Sequence, residues 1–288
     1  MKKNKSITIV TAFFDIGRGN WNTQNGYSDR LERTVDTYFS YFTQLAKLNN
    51  EIVVFTSPDL KEEILKIRKG KPTHVITINL SNKFKHIIKK ISTLQHSESF
   101  KKLIKPEQLK NPEYWSAEYV LINNLKPFFV NRAINMGLTN SKLFAWVDFG
   151  YVRNEKTLYG INTWYHPFDK DKVHFFTIKD TLDLSNEKAV LHAVLNNDPH
   201  IIGGVLVASR EKWPEFYKLV SKTQKDFIKS GIIDDDQGIF LTCASRNAHL
   251  FQLNFLGRMK WFRTFRLFHK GSKINYLTRL GILLRIIK

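Results

Sequence analysis

The sequence predicts an α/β protein built on a parallel central sheet with crossover helices. Runs of β-branched and aromatic residues alternate with segments whose apolar residues recur at helical spacing, a pattern typical of successive strand–helix–strand units. Of the 288 residues, 42% are hydrophobic, which is enough for a large core and excludes a mainly disordered chain. The single cysteine, Cys243, excludes a disulfide scaffold and a Cys-rich zinc module.

The first part of the chain has the order strand, helix, strand, helix, strand. The predicted strands are 7–14, 52–56 and 75–78, and the predicted helices between them are 29–49 and 60–68. Asp29 and Glu32 have the spacing of a capping box, so we expect the first helix to begin there. Strands connected in this way by helices lie parallel in one sheet.

The rest of the chain continues with both kinds of element. The predicted helices are 113–125, 127–136, 214–229 and 237–245, and the predicted strands are 143–147, 173–178, 203–208 and 250–255. Residues 81–112 are rich in lysine and irregular, which predicts an insertion or a lid. No apolar run approaches the roughly 18 residues of a spanning helix, and the basic residues 1–5 precede only a short apolar stretch. We therefore expect a soluble cytoplasmic protein.

Positive charge is concentrated at the C-terminus. The net charge is +19, and no acidic residue follows Asp236. The basic residues after it are Arg246, Arg258, Lys260, Arg263, Arg266, Lys270, Lys273, Arg279, Arg285 and Lys288. Aromatic and aliphatic residues are interleaved with them, so residues 257–288 predict a basic amphipathic helical tail on an anionic membrane surface. The alternatives are a solvated basic face over a core-packing helix and, less favoured, a nucleic-acid surface.

Asp148 is the first candidate site residue. It follows the predicted strand 143–147 and is followed by a Gly-containing turn. Ligands gather at the carboxyl ends of strands in open α/β sheets, and a carboxylate there suits a divalent cation that bridges phosphates. An aspartate that caps the turn is the alternative. Residues 148–150, DFG, also match the kinase metal motif, but the chain lacks the kinase Gly-rich loop and His-Arg-Asp, so a protein kinase is excluded.

The second candidate is the acidic segment at residues 234–237, DDDQ. Carboxylates at a helix N-terminus are stabilised by the helix dipole, which is a sufficient structural reason for them. The functional interpretation makes Asp236, with Gln237, a general base or a partner to positive charge developing on a sugar. Asp235 is a weaker candidate for the same role.

The loop after the first strand predicts a nucleotide-binding segment. Small residues there allow a ligand to approach the backbone, Arg18 has the geometry to bind a diphosphate, and Trp21 has a ring face for a base or sugar. The candidate residues are Thr11, Ala12, Phe13, Asp15, Arg18, Trp21 and Arg30. The loop matches neither a Walker motif nor a Rossmann fingerprint.

Two further features are weaker signals. Gly203 and Gly204 precede a predicted strand, which indicates close approach of backbone or acceptor, or alternatively a tight turn. The histidines lack metal-ligand spacing, and His249 is the one candidate for an additional metal ligand.

Several of these segments resemble one bacterial family. Residues 8–19 (TIVTAFFDIGRG), 126–130 (KPFFV) and 146–150 (WVDFG) resemble the HtrL/YibB family, and the resemblance covers about residues 6–255. Gly203-Gly204 and the Asp-Gln helix start fit the same pattern. Members of this family tend to lie among genes for lipopolysaccharide or capsule assembly.

The resemblance implies a GT-A-like glycosyltransferase with a mixed, mostly parallel sheet. The glycosyltransferase domain would span 1–256, with a nucleotide-binding half at about 1–150 and an acceptor half at about 151–256, followed by the basic tail 257–288. Enzymes of this fold usually hold a metal through Asp-x-Asp, of which Asp148 alone carries over here. A divalent metal, Mn²⁺ or Mg²⁺, is therefore expected at Asp148.

The resemblance, taken with the candidate residues, implies transfer of a sugar from a nucleotide-diphosphate donor to a saccharide or lipid-linked acceptor. Asp148 would bind the metal and diphosphate, Asp236 would act on the acceptor hydroxyl, Gly203 and Gly204 would lie near the acceptor, and the tail would hold the enzyme on the inner membrane. Two alternatives remain: a metal-dependent phosphodiesterase or nuclease using Asp148 and residues 234–236, and a non-catalytic membrane or nucleic-acid binding module.

Overall fold

The computed structural model describes residues 6–287, so residues 1–5 and Lys288 of the predicted domain and tail lie outside the described part. A seven-stranded sheet forms its centre, in the order β3-β2-β1-β4-β7-β6-β8, and β5 pairs with β9 in a small second sheet. The strands are β1 Thr8–Phe13, β2 Ile52–Thr56, β3 Thr73–Thr77, β4 Leu143–Val147, β5 Ile161–Thr163, β6 Val173–Thr177, β7 Val205–Ser209, β8 Phe251–Phe255 and β9 Lys273–Ile274. In the central sheet β7 runs antiparallel to β4 and β6, and the other neighbouring pairs are parallel. The predicted mixed, mostly parallel sheet is confirmed.

Helices cover both faces of this sheet. They are α1 Val35–Leu45, α2 Lys61–Ile67, α3 Leu80–Gln95, α4 Glu98–Lys101, α5 Ala117–Asn124, α6 Lys126–Asn135, α7 Glu187–Leu195, α8 Lys212–Lys229, α9 Asp236–Arg246 and α10 Tyr276–Leu283. Among the described residues, none of these helices has the length and apolar character needed to cross a membrane.

The core consists of two apolar layers, one on each face of the sheet. Alternate residues of β1 enter opposite layers, Val10 and Ala12 on one side and Ile9 and Phe13 on the other, as the two-residue period of a strand requires. The central strands are buried on both faces and therefore read as continuous apolar runs.

Helix α1 begins later than the predicted capping box at Asp29. Asp29–Leu31 forms a short 3-10 turn, and the Asp29 carboxylate accepts the backbone N–H of Thr23 at 2.8 Å. Thr34 caps α1 instead, since its hydroxyl accepts the N–H of Thr37 at 3.1 Å. The capping-box prediction is wrong because the carboxylate is already used by the preceding loop.

Residues 81–112 are also more regular than predicted. They contain most of the 16-residue α3 and all of α4, whose buried Ile91 and Phe100 pack with Val120 and Leu121 of α5 in a third apolar cluster. The lysines of α3 lie on its exposed face. In the sequence they interrupt the apolar residues, so the helical spacing of those residues was not recognised. Helix α7 and strand β5 were not predicted.

The C-terminal segment, described here for residues 257–287, does not form the continuous amphipathic helix that the sequence predicted. Only α10 is a regular α-helix there, and none of its residues is buried. Residues 257–275 instead pack on the body of the molecule: Phe265 is fully buried, β9 pairs with β5, and the indole N–H of Trp164 donates to the carbonyl of Leu267 at 2.9 Å.

Candidate active site

A pocket of about 300 Å³ lies at the carboxyl ends of β1 and β4. Parallel strands bring their carboxyl ends to one edge of a sheet, and the antiparallel β7 brings its amino end, with Gly203 and Gly204, to the same edge. The starts of α6 and α9, part of α5, Tyr38 of α1 and residues 261–262 also line the pocket. Segments that are far apart in the sequence thus meet there.

The centre of the pocket is Lys126, the first residue of α6. Its side chain is 3% exposed, and its ammonium lies 3.0 Å from Asp148 Oδ1 and 2.7 Å from Asp236 Oδ2. It also donates to the carbonyl of Gly203 at 3.0 Å, so the three N–H donors of the ammonium each have an acceptor. Burial disfavours the charged form, but the two carboxylates raise the pKa of Lys126 above its ordinary value. Lys126 is therefore a cation at neutral pH.

Asp148 is held in place by its neighbours in the turn after β4. The indole N–H of Trp146 donates to Asp148 Oδ1 at 2.6 Å, and the Asp148 N–H donates to the carbonyl of Gly204 at 2.8 Å. Phe149 stacks on Phe13 at 4.9 Å between ring centroids and on Phe42 at 4.2 Å. The Asp148 side chain remains 38% exposed, so it can contact a ligand in the pocket.

The paired glycines make room for functional side chains. A Cβ atom on Gly203 would overlap the carboxylate of Asp236, and one on Gly204 would lie 2.9 Å from the ring of Tyr151. The group that closely approaches each glycine is therefore a side chain, whereas the sequence interpretation expected backbone or an acceptor. Contact of this pair with an acceptor stays a prediction.

The start of α9 carries two buried carboxylates that line the pocket. Asp235 caps the helix by accepting the N–H of Gln237 at 3.0 Å. Burial, with the charge of Glu113 nearby, raises the pKa of Asp235 to about 7. Burial also raises the pKa of Asp236 to about 7, despite the lowering effect of the Lys126 ammonium. Carboxyl groups with such pKa values exchange protons near neutral pH, as a general base must.

Two guanidinium groups lie at the pocket and have neutral partners. Arg18 donates to the hydroxyl of Tyr38 at 2.7 Å and to the carbonyl of Leu31 at 3.0 Å. Arg153 lies over the ring of Tyr41 at 4.5 Å from its centroid, with the ring of Phe262 at 5.3 Å. Within residues 6–287 neither arginine forms an ion pair with a carboxylate, so their charge is available to an anionic ligand.

Most predicted site residues line this one pocket. They are Ala12, Phe13, Asp15, Arg18, Asp148, Gly203, Gly204, Asp235, Asp236 and Gln237. Their predicted roles in catalysis, donor binding and acceptor binding stay predictions.

Thr11, Trp21 and Arg30 do not line the pocket. Thr11 is buried within β1, Trp21 is buried against Trp115 with 4.7 Å between ring centroids, and Arg30 donates to Asn111. This pocket therefore gives no support to their assignment to nucleotide contact, which stays a prediction.

The divalent metal expected at Asp148 would find the Lys126 ammonium 3.0 Å from Oδ1 of that carboxylate, and metal binding there stays a prediction. His249 lies two residues before β8, whose first residue pairs with the first residue of β6. This places His249 near the amino end of β4, whereas Asp148 follows the carboxyl end of that strand. The prediction that His249 joins Asp148 in one metal site is therefore wrong. In the described part of the chain no group of three or more His, Cys, Asp or Glu side chains is arranged to hold a metal ion. Between the carboxylates of Asp148 and Asp236 lies the ammonium of Lys126.

Lys126 and Arg153 were missed as site residues. Lys126 carried one usable signal, since a lysine in the first turn of a helix opposes the helix dipole and needs another reason to be there. Arg153 lies in a loop without local pattern, and its ring contacts come from Tyr41 and Phe262, which are distant in sequence.

Comparison with known proteins identifies the family of this chain. A family model described as a bacterial protein of unknown function, HtrL_YibB, matches residues 5–270. The chain belongs to the HtrL_YibB family. Protein HtrL of Escherichia coli (strain K12) is 51% identical over 275 residues, which cover 94% of this chain and 96% of that protein. The HtrL_YibB match extends past residue 255, the limit expected from the sequence, into the segment that packs beside the pocket.

Two solved structures are similar to this HtrL_YibB protein at low identity over most of its length. Mouse xyloside xylosyltransferase 1 in its apo form has 11% identity and a TM-score of 0.41, covering 86% of this chain and 84% of its own. The inositol-1-phosphate CTP transferase from T. maritima has 12% identity and a TM-score of 0.42, covering 88% of this chain and 86% of its own. Similarity at this level is not evidence for the activity of the present chain.

Proposed function

We propose that this chain is a glycosyltransferase that moves a sugar from a nucleoside-diphosphate donor to a saccharide acceptor. The observation that supports it is the charge arrangement of the pocket. Two arginines that have no carboxylate partner within residues 6–287 line it together with Asp148 and Asp236, and Lys126 binds both of these carboxylates. Guanidinium groups bind phosphate oxygens with paired hydrogen bonds, and carboxylates accept hydrogen bonds from sugar hydroxyls.

Each group has a task in such a transfer. Arg18 and Arg153 balance the negative charge that grows on the departing diphosphate as its bond to the anomeric carbon breaks. Asp236 takes the proton of the acceptor hydroxyl whose oxygen forms the new bond, for which a pKa of about 7 is suited. Asp148, with its partly exposed carboxylate, orients the donor sugar.

Donor binding and turnover test this proposal. UDP, GDP, CDP, ADP and dTDP sugars are screened by thermal shift and by release of the nucleoside diphosphate with polysaccharide acceptors. We expect one nucleotide class to stabilise the protein, Asp148→Asn to weaken its binding, and Asp236→Asn to abolish release. Asp226→Asn is the matched control, since that side chain is 39% exposed, as against 38% for Asp148, and lies outside the pocket.

Two results would contradict sugar transfer. Absence of binding by every donor would remove the basis of the proposal. Cleavage of a phosphodiester such as bis-p-nitrophenyl phosphate without any nucleotide sugar, lost in Asp148→Asn, would favour the phosphodiesterase alternative.

We propose further that the C-terminal segment holds the enzyme on an anionic membrane surface, where lipid-linked acceptors of lipopolysaccharide or capsule assembly are located. Helix α10 and the residues after it expose apolar side chains: Tyr276, Leu277, Leu280, Leu283, Leu284 and Ile286. Arg279 and Arg285 lie among them, and the sequence after Asp236 contains no acidic residue to repel anionic headgroups.

Sedimentation with vesicles tests this surface. The full chain is expected to bind vesicles of phosphatidylethanolamine and phosphatidylglycerol, and to bind phosphatidylcholine vesicles weakly. The double variant Leu277→Asp/Leu280→Asp is expected to lose this binding, whereas Leu191→Asp, at a 43% exposed leucine of α7, keeps it. Equal binding by the double variant would contradict the proposal, and preferential binding to duplex DNA would favour the nucleic-acid alternative.

A further inference from the structure

We propose that this site neutralises the donor diphosphate with Arg18 and Arg153 of this chain instead of a divalent cation. The inference rests on the proposed function and deepens it, because it assigns the phosphate contacts to two side chains and makes donor binding independent of metal.

The position between the two carboxylates is filled by this chain's own cation. The Lys126 ammonium lies 3.0 Å from Asp148 Oδ1 and 2.7 Å from Asp236 Oδ2, and its third donor is directed to the carbonyl of Gly203. Asp148 Oδ1 also accepts from the indole of Trp146. A divalent ion bridging these carboxylates would have to displace a buried lysine, which would leave its ammonium without partners in a low-dielectric site.

Lys126 does not itself bind the diphosphate in this arrangement. An ammonium has three N–H donors, and all three are directed to Asp148, Asp236 and Gly203. Its task is to position the two carboxylates and to offset part of their charge. The phosphates therefore need other cations.

Arg18 and Arg153 meet this need. Only two of the five N–H donors of Arg18 have acceptors within residues 6–287, and its guanidinium lies over the ring of Trp21, 5.0 Å from the centroid. Arg153 is held by the faces of Tyr41 and Phe262. Stacking on aromatic rings fixes the plane of a guanidinium and leaves its N–H edge for a planar or tetrahedral anion.

The two arginines can be removed without leaving a buried charge unpaired. Neither is paired with a carboxylate in the described part of the chain, so Arg18→Met and Arg153→Met keep the long apolar stem and remove only the charge and the donors. Both variants are expected to fold, which a thermal unfolding curve checks.

The experiment is calorimetric titration of UDP, GDP, CDP, ADP and dTDP into the full chain, once with EDTA and once with Mn²⁺. For the nucleotide that binds, we expect the dissociation constant to agree within about twofold between the two conditions, since no metal takes part. We expect Arg18→Met and Arg153→Met each to weaken binding by about tenfold or more, as loss of a charged hydrogen bond predicts. The control is Arg132→Met, at an exposed arginine of α6 outside the pocket.

The outcomes separate this inference from the function on which it rests. Binding that needs Mn²⁺ and disappears in EDTA overturns the inference and leaves sugar transfer in place. Binding in EDTA that Arg18→Met/Arg153→Met does not weaken overturns the assignment of the two arginines. Absence of binding by every nucleoside diphosphate in both conditions contradicts the proposed function itself.

Discussion

Lys126 connects residues that are far apart in sequence. Its ammonium binds Asp148, which follows β4, and Asp236, which starts α9, so three elements are fixed relative to one another by one side chain. Removal of one partner from a buried ion pair leaves uncompensated charge, which typically costs about 3–5 kcal/mol.

We therefore predict that Lys126→Met lowers the free energy of unfolding by about 3 kcal/mol in urea titration. The double variant Lys126→Met/Asp236→Asn should regain part of this loss, because one of the two stranded carboxylates is gone. Lys102→Met, at an exposed lysine, is the control and should change stability little. A fully stable Lys126→Met would show that the ion pairs do not contribute to folding.

Gly203 is required by the side chain of Asp236. Because a Cβ on Gly203 would overlap the Asp236 carboxylate, Gly203→Ala should push Asp236 away from Lys126 and cost about 1–3 kcal/mol. Ligand affinity and the urea midpoint are the two measurements. Gly19→Ala is the comparison, since its added Cβ would find its nearest neighbour at an ordinary 3.7 Å; equal effects of the two changes would contradict the steric explanation.

At the level of single residues, the sequence predicted acidic site residues better than basic ones. Asp148 and Asp236 stand at the end of a strand and the start of a helix, where local pattern alone points to function. Arg153 and Lys126 obtain their roles from tertiary contacts, such as the Lys126–Asp236 bond across 110 positions. A single sequence without a fold carries no record of such pairs.

At the level of helices and strands, the N-cap of α1 distinguishes the structure, in which Thr34 is the cap, from the sequence pattern, which predicted Asp29. The Thr34 hydroxyl accepts the Thr37 N–H, so Thr34→Ala should cost about 1 kcal/mol of stability. Asp29→Ala should leave α1 unaffected, since Asp29 belongs to the preceding loop. The urea midpoints of the two variants measure this difference. A larger loss of stability in Asp29→Ala than in Thr34→Ala would support the capping-box interpretation instead.

How well a helix or strand could be predicted from the sequence depended on how many of its faces are buried. Strands buried on both sides, such as β2 and β4, are continuous apolar runs and were found within a residue or two. Helix α3 was missed because its exposed lysines stand between the apolar residues that face α5. Strand β9 has two residues and forms only because β5 lies beside it, which no local pattern contains.

The molecule as a whole carries a buried acidic group that makes stability depend on pH. Glu113 is 5% exposed, and burial raises its pKa from 4.5 to about 7. The folded state therefore keeps this proton between about pH 4.5 and pH 7, where the unfolded state loses it, so stability should fall as pH rises through this range and level off above it. Asp235, whose pKa is raised to about 7, acts in the same direction.

The variant Glu113→Gln keeps the size and the acceptor oxygen but has no proton to lose. We expect it to match the wild type near pH 4 and to be more stable at pH 8, by up to about 3 kcal/mol from the pKa difference. Urea denaturation across pH measures this, with the exposed Glu107→Gln as control. A difference between Glu113→Gln and wild type that is the same at every pH would contradict the titration of Glu113.

The contribution of Trp261 and Phe262 to the pocket also has a consequence for synthesis of the chain. Tyr151, in the turn after β4, donates its hydroxyl to the carbonyl of Trp261 at 2.8 Å, and this contact needs residues that follow the last strand of the central sheet. A nascent chain emerging from the ribosome at about 5–20 residues per second will therefore complete its sheet before its pocket. During that interval the chain has a folded scaffold with one wall of the pocket missing, so tight retention of a ligand should begin only after residue 262 has emerged and packed against Tyr151.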